Sequence, residues 1–87
     1  MANEYEMVIT LYTPQYFEEF TEWVDNDLKV DRWWGIIDTK HPKLHVVYTD
    51  GIINDSKKVN RKRVLKRVVK GLNRLGCAYD IKFVDTK

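Results

Sequence analysis

The stretch RKRVLKRVVKGLNRLGCAYDIKF, residues 61–83, carries the clearest structural signals in the chain. Its first part repeats apolar residues at spacings of three and four, which predicts the buried stripe of an α-helix. That stripe consists of Leu65, Val68, Val69, Leu72 and Leu75. Gly76 then supplies a natural C-cap. Apolar and polar residues alternate at 79–83, so the helix is expected to lead into a half-exposed strand.

Working outward, the N-terminal part predicts a strand followed by a helix. Residues 5–12 place Met7, Ile9 and Leu11 at a period of two, with β-forming residues between them. Thr13-Pro14 signals a helix start, with Thr13 as N-cap and Pro14 at the first helical position, where a missing N–H has no cost. Aromatic and aliphatic residues then recur at helical spacing, so this helix is expected to end at about Asn26.

The middle of the chain predicts a hairpin. Residues 32–38 and 44–49 are expected to be its strands, joined by a loop that contains Pro42. Asp50-Gly51 either ends the second of these strands or turns into a short extra strand at Ile52-Ile53. The cap of the basic second helix is expected at one of three neighbouring residues, Asn54, Asp55 or Ser56.

The resulting element order, βαββαβ, resembles the ferredoxin-like split βαβ pattern. This resemblance implies an α+β fold in which both helices cover one face of a four-stranded antiparallel sheet. An α+β sandwich with an extra hairpin at Asp50-Gly51 is the alternative. With 87 residues and no linker-like stretch, the chain is expected to be a single domain, 1–87. Element order alone implies no functional residues.

Strand alternation assigns side chains to a covered face and an open face. The covered face is expected to hold Met7, Ile9, Leu11, Trp34, Ile36, Leu44, Val46, Tyr48, Tyr79, Ile81 and Phe83. The open face is expected to hold Val8, Thr10, Tyr12, Trp33, Ile37, His45, Val47, Thr49, Asp80 and Lys82. A one-residue shift would exchange Trp33 and Trp34. Because the open face is only half polar, it is a candidate surface for a partner or a homodimer.

Charge is strongly divided along the chain. Residues 57–74 contain nine basic residues and no acid, whereas residues 18–31 contain six acids and one lysine. On a helical wheel the basic side chains fan out opposite the apolar stripe, and like charges at three- and four-residue spacing repel by a few tenths of a kcal/mol each. A helix with this composition favours an anionic partner, because phosphate contacts release counterions.

The first functional hypothesis is therefore a module that binds RNA or DNA through phosphates, with weak sequence specificity. The expected contacts are Arg63, Lys66, Arg67, Lys70, Arg74, Lys62 and Lys58, with Lys57 and Arg61 extending the track. Trp33, Tyr12 and His45 could add base stacking from the open sheet face. The strand at 44–49 lacks the Lys/Arg-Gly-aromatic signature of RNA-recognition domains.

Two other interpretations of the charges stay open. The chain could be a small inhibitor or modulator of a nucleic-acid or defence machine, of the kind that phages use, acting by covering a partner protein's surface. Its acidic stretch at 18–31 could then imitate a nucleic-acid backbone. Alternatively, the basic helix is a solvated face, or its cations pair with the acids of the first helix.

Catalytic and cofactor chemistry find little support. The only serine, Ser56, is at an expected cap, and the single cysteine, Cys77, is expected to be buried. His41 and His45 have no third ligand at suitable spacing, so neither a metal nor a cofactor is expected. We interpret the chain as a non-enzyme. One cysteine, no secretory leader pattern and no apolar run of about 20 residues predict a cytoplasmic protein outside membranes.

Overall fold

The computed structural model describes residues 4–28, 30, 32–38, 40–49 and 57–86, and within them the chain forms four strands and two α-helices. In chain order these are β1 Glu4–Leu11, α1 Phe17–Trp23, β2 Arg32–Ile36, β3 Lys43–Thr49, α2 Lys57–Leu75 and β4 Tyr79–Thr86. The predicted α+β domain is confirmed at this level. The expected turn at Asp50-Gly51, the strand at Ile52-Ile53 and the caps at Asn54, Asp55 and Ser56 lie outside the described residues.

The strands form one sheet in the order β2-β3-β1-β4, and each neighbouring pair is antiparallel. Met7 in the middle of β1 lies opposite Val46 of β3 on one side and Phe83 of β4 on the other. Each helix joins two strands that flank a third, because α1 leads from β1 past β3 to β2, and α2 leads from β3 past β1 to β4. Among the described strands, β2 and β4 are the sheet edges.

The hydrophobic core lies between one face of the sheet and both helices. Met7, Ile9 and Leu11 alternate along β1 and are fully buried, as the sequence predicts. The buried cluster comprises Met7, Ile9, Leu11, Phe20, Val24, Leu28, Leu44, Val46, Val68, Leu72 and Cys77. Since β1, β3, α1 and α2 all contribute to it, the core holds the helical layer against the sheet.

The facing of β2 differs from the prediction. Trp33 lies opposite Val46 and packs against the core, whereas Trp34 lies opposite His45 on the other face and is 42% exposed. Ile36 is exposed on the same side as Trp34. The assignments of Trp33 to the open face, and of Trp34 and Ile36 to the covered face, are therefore wrong by one residue of register.

A close contact between Gly35 and the Phe17 ring explains which side of β2 faces the core. A Cβ at Gly35 would lie 2.6 Å from Cζ of Phe17 and 3.6 Å from Cδ1 of Leu44. The Phe17 ring therefore occupies the space that a side chain at position 35 would need. Because residues 33 and 35 share a face, the contact also turns Trp33 inward.

Replacing Gly35 by alanine is expected to lower the free energy of unfolding by about 1–3 kcal/mol, because the new methyl group overlaps the Phe17 ring. Urea unfolding followed by circular dichroism measures this loss. The matched variant Ile36→Ala, at an exposed neighbour in β2, is expected to change stability by about 0.5 kcal/mol or less. Equal losses in the two variants would contradict the assigned facing.

The chain enters α1 through a 3-10 turn, Pro14–Tyr16, with Pro14 at the first position as predicted. The Thr13 hydroxyl does not cap this turn. It accepts a hydrogen bond from the Ala78 N–H at 3.4 Å instead, which ties the end of β1 to the start of β4. The predicted N-cap position of Thr13 is confirmed, but its side chain does not make the capping hydrogen bond.

The apolar stripe of α2 is shifted slightly around the helix. Val68 and Leu72 are fully buried as predicted, but Val69 lies outside the buried cluster, and Val64 packs against it. Gly76 has a φ of 77° and its N–H donates to the carbonyl of Leu72 at 3.0 Å. The predicted glycine C-cap is confirmed.

Candidate nucleic-acid interface

The outer side of α2 presents a continuous set of cations. All of them are exposed, and the buried residues Val68, Gly71 and Leu72 lie on the opposite side of the helix. We call this set the basic face, which consists of Lys62, Arg63, Lys66, Lys70 and Arg74. Lys57, Lys58 and Arg61 belong to the first turns of α2, but their side chains lie outside the described part of the chain.

The basic face has no internal counter-charge within the described residues. None of its five side chains makes a hydrogen bond or an ion pair with a described carboxylate. Lys62, Lys66, Lys70 and Arg74 follow one another every four residues, so they form a row of about 18 Å along the helix. The alternative in which the cations of α2 pair with the acids of the first helix is not seen for these five side chains in the described residues.

Arg67 is engaged within the fold. Its guanidinium donates to the carbonyl of Leu28 at 3.3 Å and to the carbonyl of Asp27. Both carbonyls end the π-helical turn Val24–Leu28 that follows α1. Arg67 thus satisfies backbone acceptors that a helix end leaves unpaired. To bind phosphate, as the sequence suggested, it would have to give up these bonds.

Replacing Arg67 by alanine is expected to cost about 0.5–1.5 kcal/mol of folding free energy, because its side chain is exposed and only one of its two hydrogen bonds is partly buried. Thermal or urea unfolding of the variant measures the loss. Lys66→Ala, one residue earlier on the exposed side, is the matched control and is expected to be close to neutral. If both variants behave alike, Arg67 has no structural role.

An acidic set lies beside the basic face in the helical layer. Its members are all exposed, and we call them the acidic face: Glu18, Glu19, Glu22, Asp25 and Asp27. Glu18 and Glu19 are in the first turn of α1, where the helix dipole favours carboxylates. Asp25 also accepts a hydrogen bond from Nε1 of Trp33 at 3.4 Å. Exposed acids therefore lie on α1 and the turn that follows it, and exposed cations lie on α2.

A shallow groove of about 520 Å³ runs along α2 next to the basic face. Leu65 and Val69 line its apolar part, and Lys62, Arg63 and Lys66 surround them. Val69, which lies outside the buried cluster, is therefore part of the surface of this groove. Lysine and arginine stems can cover such apolar surface while their charged ends stay in water.

The open face of the sheet carries a stacked pair of rings. The indole of Trp34 lies parallel to the imidazole of His45, with centroids 4.8 Å apart and an interplanar angle of 6°. The carboxylate of Glu6 accepts a hydrogen bond from Nδ1 of His45 and holds the imidazole in place. Val47, on the same face, is almost completely buried, so the exposed apolar surface is concentrated towards β2. Trp34, which the sequence analysis placed inside, is the exposed aromatic here.

Tyr12 and His45, two of the predicted stacking residues, lie apart. Tyr12 is exposed beyond the end of β1 and makes an edge-to-face contact with His41, with ring centroids 5.0 Å apart. His45 pairs with Val8, four residues earlier in β1, so about 13 Å of strand separates the two positions. The third residue, Trp33, packs on the core. The three predicted stacking residues do not form one platform.

Cys77 and Asp38 carry groups that could take part in chemistry, but both are held in structural positions. Cys77 is buried, and burial raises the pKa of its thiol, which disfavours the nucleophilic thiolate. The backbone N–H of Lys40 donates to the Asp38 carboxylate at 2.7 Å and lowers the pKa of Asp38. This is the turn role that the position of Asp38 predicts.

Among the described residues, no three His, Cys, Asp or Glu side chains cluster in a way that could hold a metal ion. None of the described helices is both long and apolar enough to cross a membrane.

Comparison with known proteins identifies a fold likeness only. No protein-family profile and no curated protein sequence matches this chain. Among solved structures, the chain is similar to a de novo designed protein, Foldit4, over 100% of both chains, with a TM-score of 0.53 and 12% sequence identity. At this identity the likeness concerns the fold and carries no function.

Proposed function

We propose that this chain is a non-enzymatic nucleic-acid-binding module that contacts phosphates through the basic face of α2. The observation that carries the proposal is the set of five exposed cations on one side of a helix, which have no carboxylate partner within the described residues. Neighbouring like charges at four-residue spacing repel one another. A polyanion converts this repulsion into attraction and gains free energy from released counterions.

The geometry favours contact with the backbone of the nucleic acid. A row about 18 Å long, which winds by about 120° around the helix, can contact several successive phosphates of RNA or DNA. Lysine and arginine at phosphates carry no base information, so sequence specificity is expected to be weak. Arg67 is left out of the proposed contacts because its guanidinium already bonds the carbonyls of Asp27 and Leu28.

We also infer that the fold is the ferredoxin-like split βαβ arrangement. The βαββαβ order and the two helices that each pass one intervening strand support this inference. In that arrangement α2 lies in the outer layer, where its polar side is open to a large partner. The single buried thiol, Cys77, suits a reducing, cytoplasmic setting.

The proposal is tested with two variants that lose the same charge. Lys62, Lys66 and Lys70 are changed to glutamine in one, and Lys40, Lys43 and Lys82, exposed elsewhere, in the other. Binding to fluorescent single-stranded RNA, single-stranded DNA and duplex DNA is measured by anisotropy. We expect the first variant to bind at least about tenfold more weakly than wild type, and the second to bind nearly as well. Equal losses would mean that net charge, rather than the basic face, determines binding.

The acidic face supports one rival function, an inhibitor or modulator that covers a basic groove of a partner protein. Five exposed carboxylates beside α1 are the observation that favours it. If wild type binds none of the three nucleic acids, this rival becomes the working hypothesis. Changing Glu18, Glu19 and Glu22 to glutamine would then abolish capture of the partner, whereas the lysine variants would not.

A further inference from the structure

The two edges of the sheet differ in their protection against pairing. β4 carries the exposed charges Asp80 and Lys82, the kind of edge residue that discourages strand addition. β2 carries one charge, at its first residue Arg32, and the four residues that follow, Trp33-Trp34-Gly35-Ile36, contain neither a charge nor a proline. The next residue, Ile37, is 80% exposed. Among the described strands, β2 is thus the less protected edge.

The Trp34 ring is exposed at that edge. One face of its indole lies against His45 of β3, at 4.8 Å between centroids, which is the spacing of neighbouring strands in a sheet. Because β2 is the last described strand on this side, the opposite face of the indole points away from the sheet. If a strand were added next to β2 with an aromatic residue opposite Trp34, that residue would stack on the free face of the indole at the same spacing.

We propose that two copies of this chain pair edge to edge through antiparallel β2 strands, with Trp34 opposite Trp34 of the second copy. Residue 34 is the middle residue of Arg32–Ile36, so this is the register that pairs the whole strand. An antiparallel pair of identical strands has two-fold symmetry, and its interface is self-complementary. The pairing extends the ring stack to four members: His45, the two Trp34 rings and His45 of the second copy.

The same register suits the covered face of the strand. Trp33 falls opposite Gly35 of the second copy, where the Phe17 ring already lies over the glycine, so Trp33 would meet that ring, and this contact would form twice by symmetry. Arg32 falls opposite Ile36, which keeps the two arginines apart. Both sheets then continue as one, with the helical layers on the same side. The two basic faces would point the same way, but the pairing does not depend on nucleic acid.

The interface is small, because it rests on one five-residue strand from each copy. Interfaces of this kind are at the weak end of specific association, so a dissociation constant in the micromolar range is expected. Tryptophan is a frequent hot-spot residue, and Trp34 contributes to the interface from both copies.

Sedimentation of the full chain without nucleic acid, up to hundreds of micromolar, tests the proposal. Trp34→Lys is compared with Val84→Lys, on the opposite edge strand of the same sheet face, where the two side chains are similarly exposed at 42% and 37%. We expect wild type and Val84→Lys to dimerise alike, and Trp34→Lys to raise the dissociation constant at least about tenfold.

A cysteine at position 34 reports the register independently. Cα atoms of directly opposed antiparallel residues are about 4.5–5.5 Å apart, within the range that a disulfide can bridge. Mild oxidation traps even a transient pair, so Trp34→Cys is expected to form a covalent dimer although the loss of the indole weakens association, whereas Val84→Cys stays monomeric. A wild type that remains monomeric at every concentration overturns the proposal, and so does a dimer that Trp34→Lys leaves intact. A monomer whose Trp34 is covered only when an oligonucleotide is added would assign the free indole face to a base instead.

Discussion

Replacing Phe20 by alanine is expected to lower the free energy of unfolding by about 3–5 kcal/mol, the usual cost of removing a fully buried phenyl ring. Phe20 is completely buried in α1 and lies nearly parallel to Trp23, with ring centroids 5.6 Å apart and an interplanar angle of 16°. Its ring belongs to the buried cluster between the helices and the sheet, so its removal leaves a cavity there. Urea unfolding followed by circular dichroism gives the loss directly.

The control for this variant is Tyr12→Ala, which removes an aromatic ring that is 47% exposed. A change of about 0.5 kcal/mol or less is expected there. Small domains have total stabilities of about 5–15 kcal/mol, so Phe20→Ala can leave the chain largely unfolded at physiological temperature. A Phe20 variant as stable as the Tyr12 variant would contradict the placement of α1 on the sheet.

The second large effect is expected at Gly71. Replacing this glycine by alanine is expected to destabilise the domain when Trp23 is present and to stabilise it when Trp23 is absent. A Cβ at this helical position would lie 2.9 Å from Cζ2 of Trp23, so Gly71→Ala is expected to destabilise the domain by about 1–3 kcal/mol. When Trp23 is also alanine, the overlap is gone. In that background alanine is expected to stabilise α2 by about 0.8–1 kcal/mol through its higher helix propensity.

A double-mutant cycle of the four proteins measures the coupling between Trp23 and Gly71, which is expected to be at least about 2 kcal/mol. Asn73→Ala, at an exposed position of the same helix, serves as the control for propensity alone and should behave alike in both backgrounds. Additive effects of Gly71→Ala and Trp23→Ala would mean that the two helices do not meet at this point.

Much of the fold could be predicted because the local patterns are strong. The spacing of Val68 and Leu72 identifies the inner side of α2, and Gly76 marks its end. Strict alternation in β1 assigns Met7 and Ile9 to the core. In these segments the local preference and the tertiary environment favour the same side.

The facing of β2 could not be predicted for a physical reason. Trp33 and Trp34 are equally apolar, so alternation alone permits either to face the core. The choice depends on a contact between distant segments, the Phe17 ring over Gly35. A glycine within a strand can mark close approach of another group, and this was the only local signal available.

The charge pattern of the candidate site was predicted from the sequence. Which cations are exposed, and which of them bonds within the fold, was not predicted. In the sequence Arg67 cannot be told apart from Lys66 and Lys70, because all three are basic residues of the same charged run. In the fold, however, it donates hydrogen bonds to the carbonyls of Asp27 and Leu28, about 40 residues away in sequence. Its position at the margin between the basic face and the contact with α1 depends on how the helices pack. Sequence alone could not separate a structural arginine from its exposed neighbours.

The salt dependence of nucleic-acid binding tests the central claim most directly. For wild type on duplex DNA, log affinity against log salt is expected to fall with a slope of about −4.5, since five cations can each neutralise one phosphate. The variant with glutamine at Lys62, Lys66 and Lys70 is expected to have a slope shallower by about 2–3. A wild type that shows no binding at low salt, or a slope that the three substitutions leave unchanged, would contradict binding through the basic face.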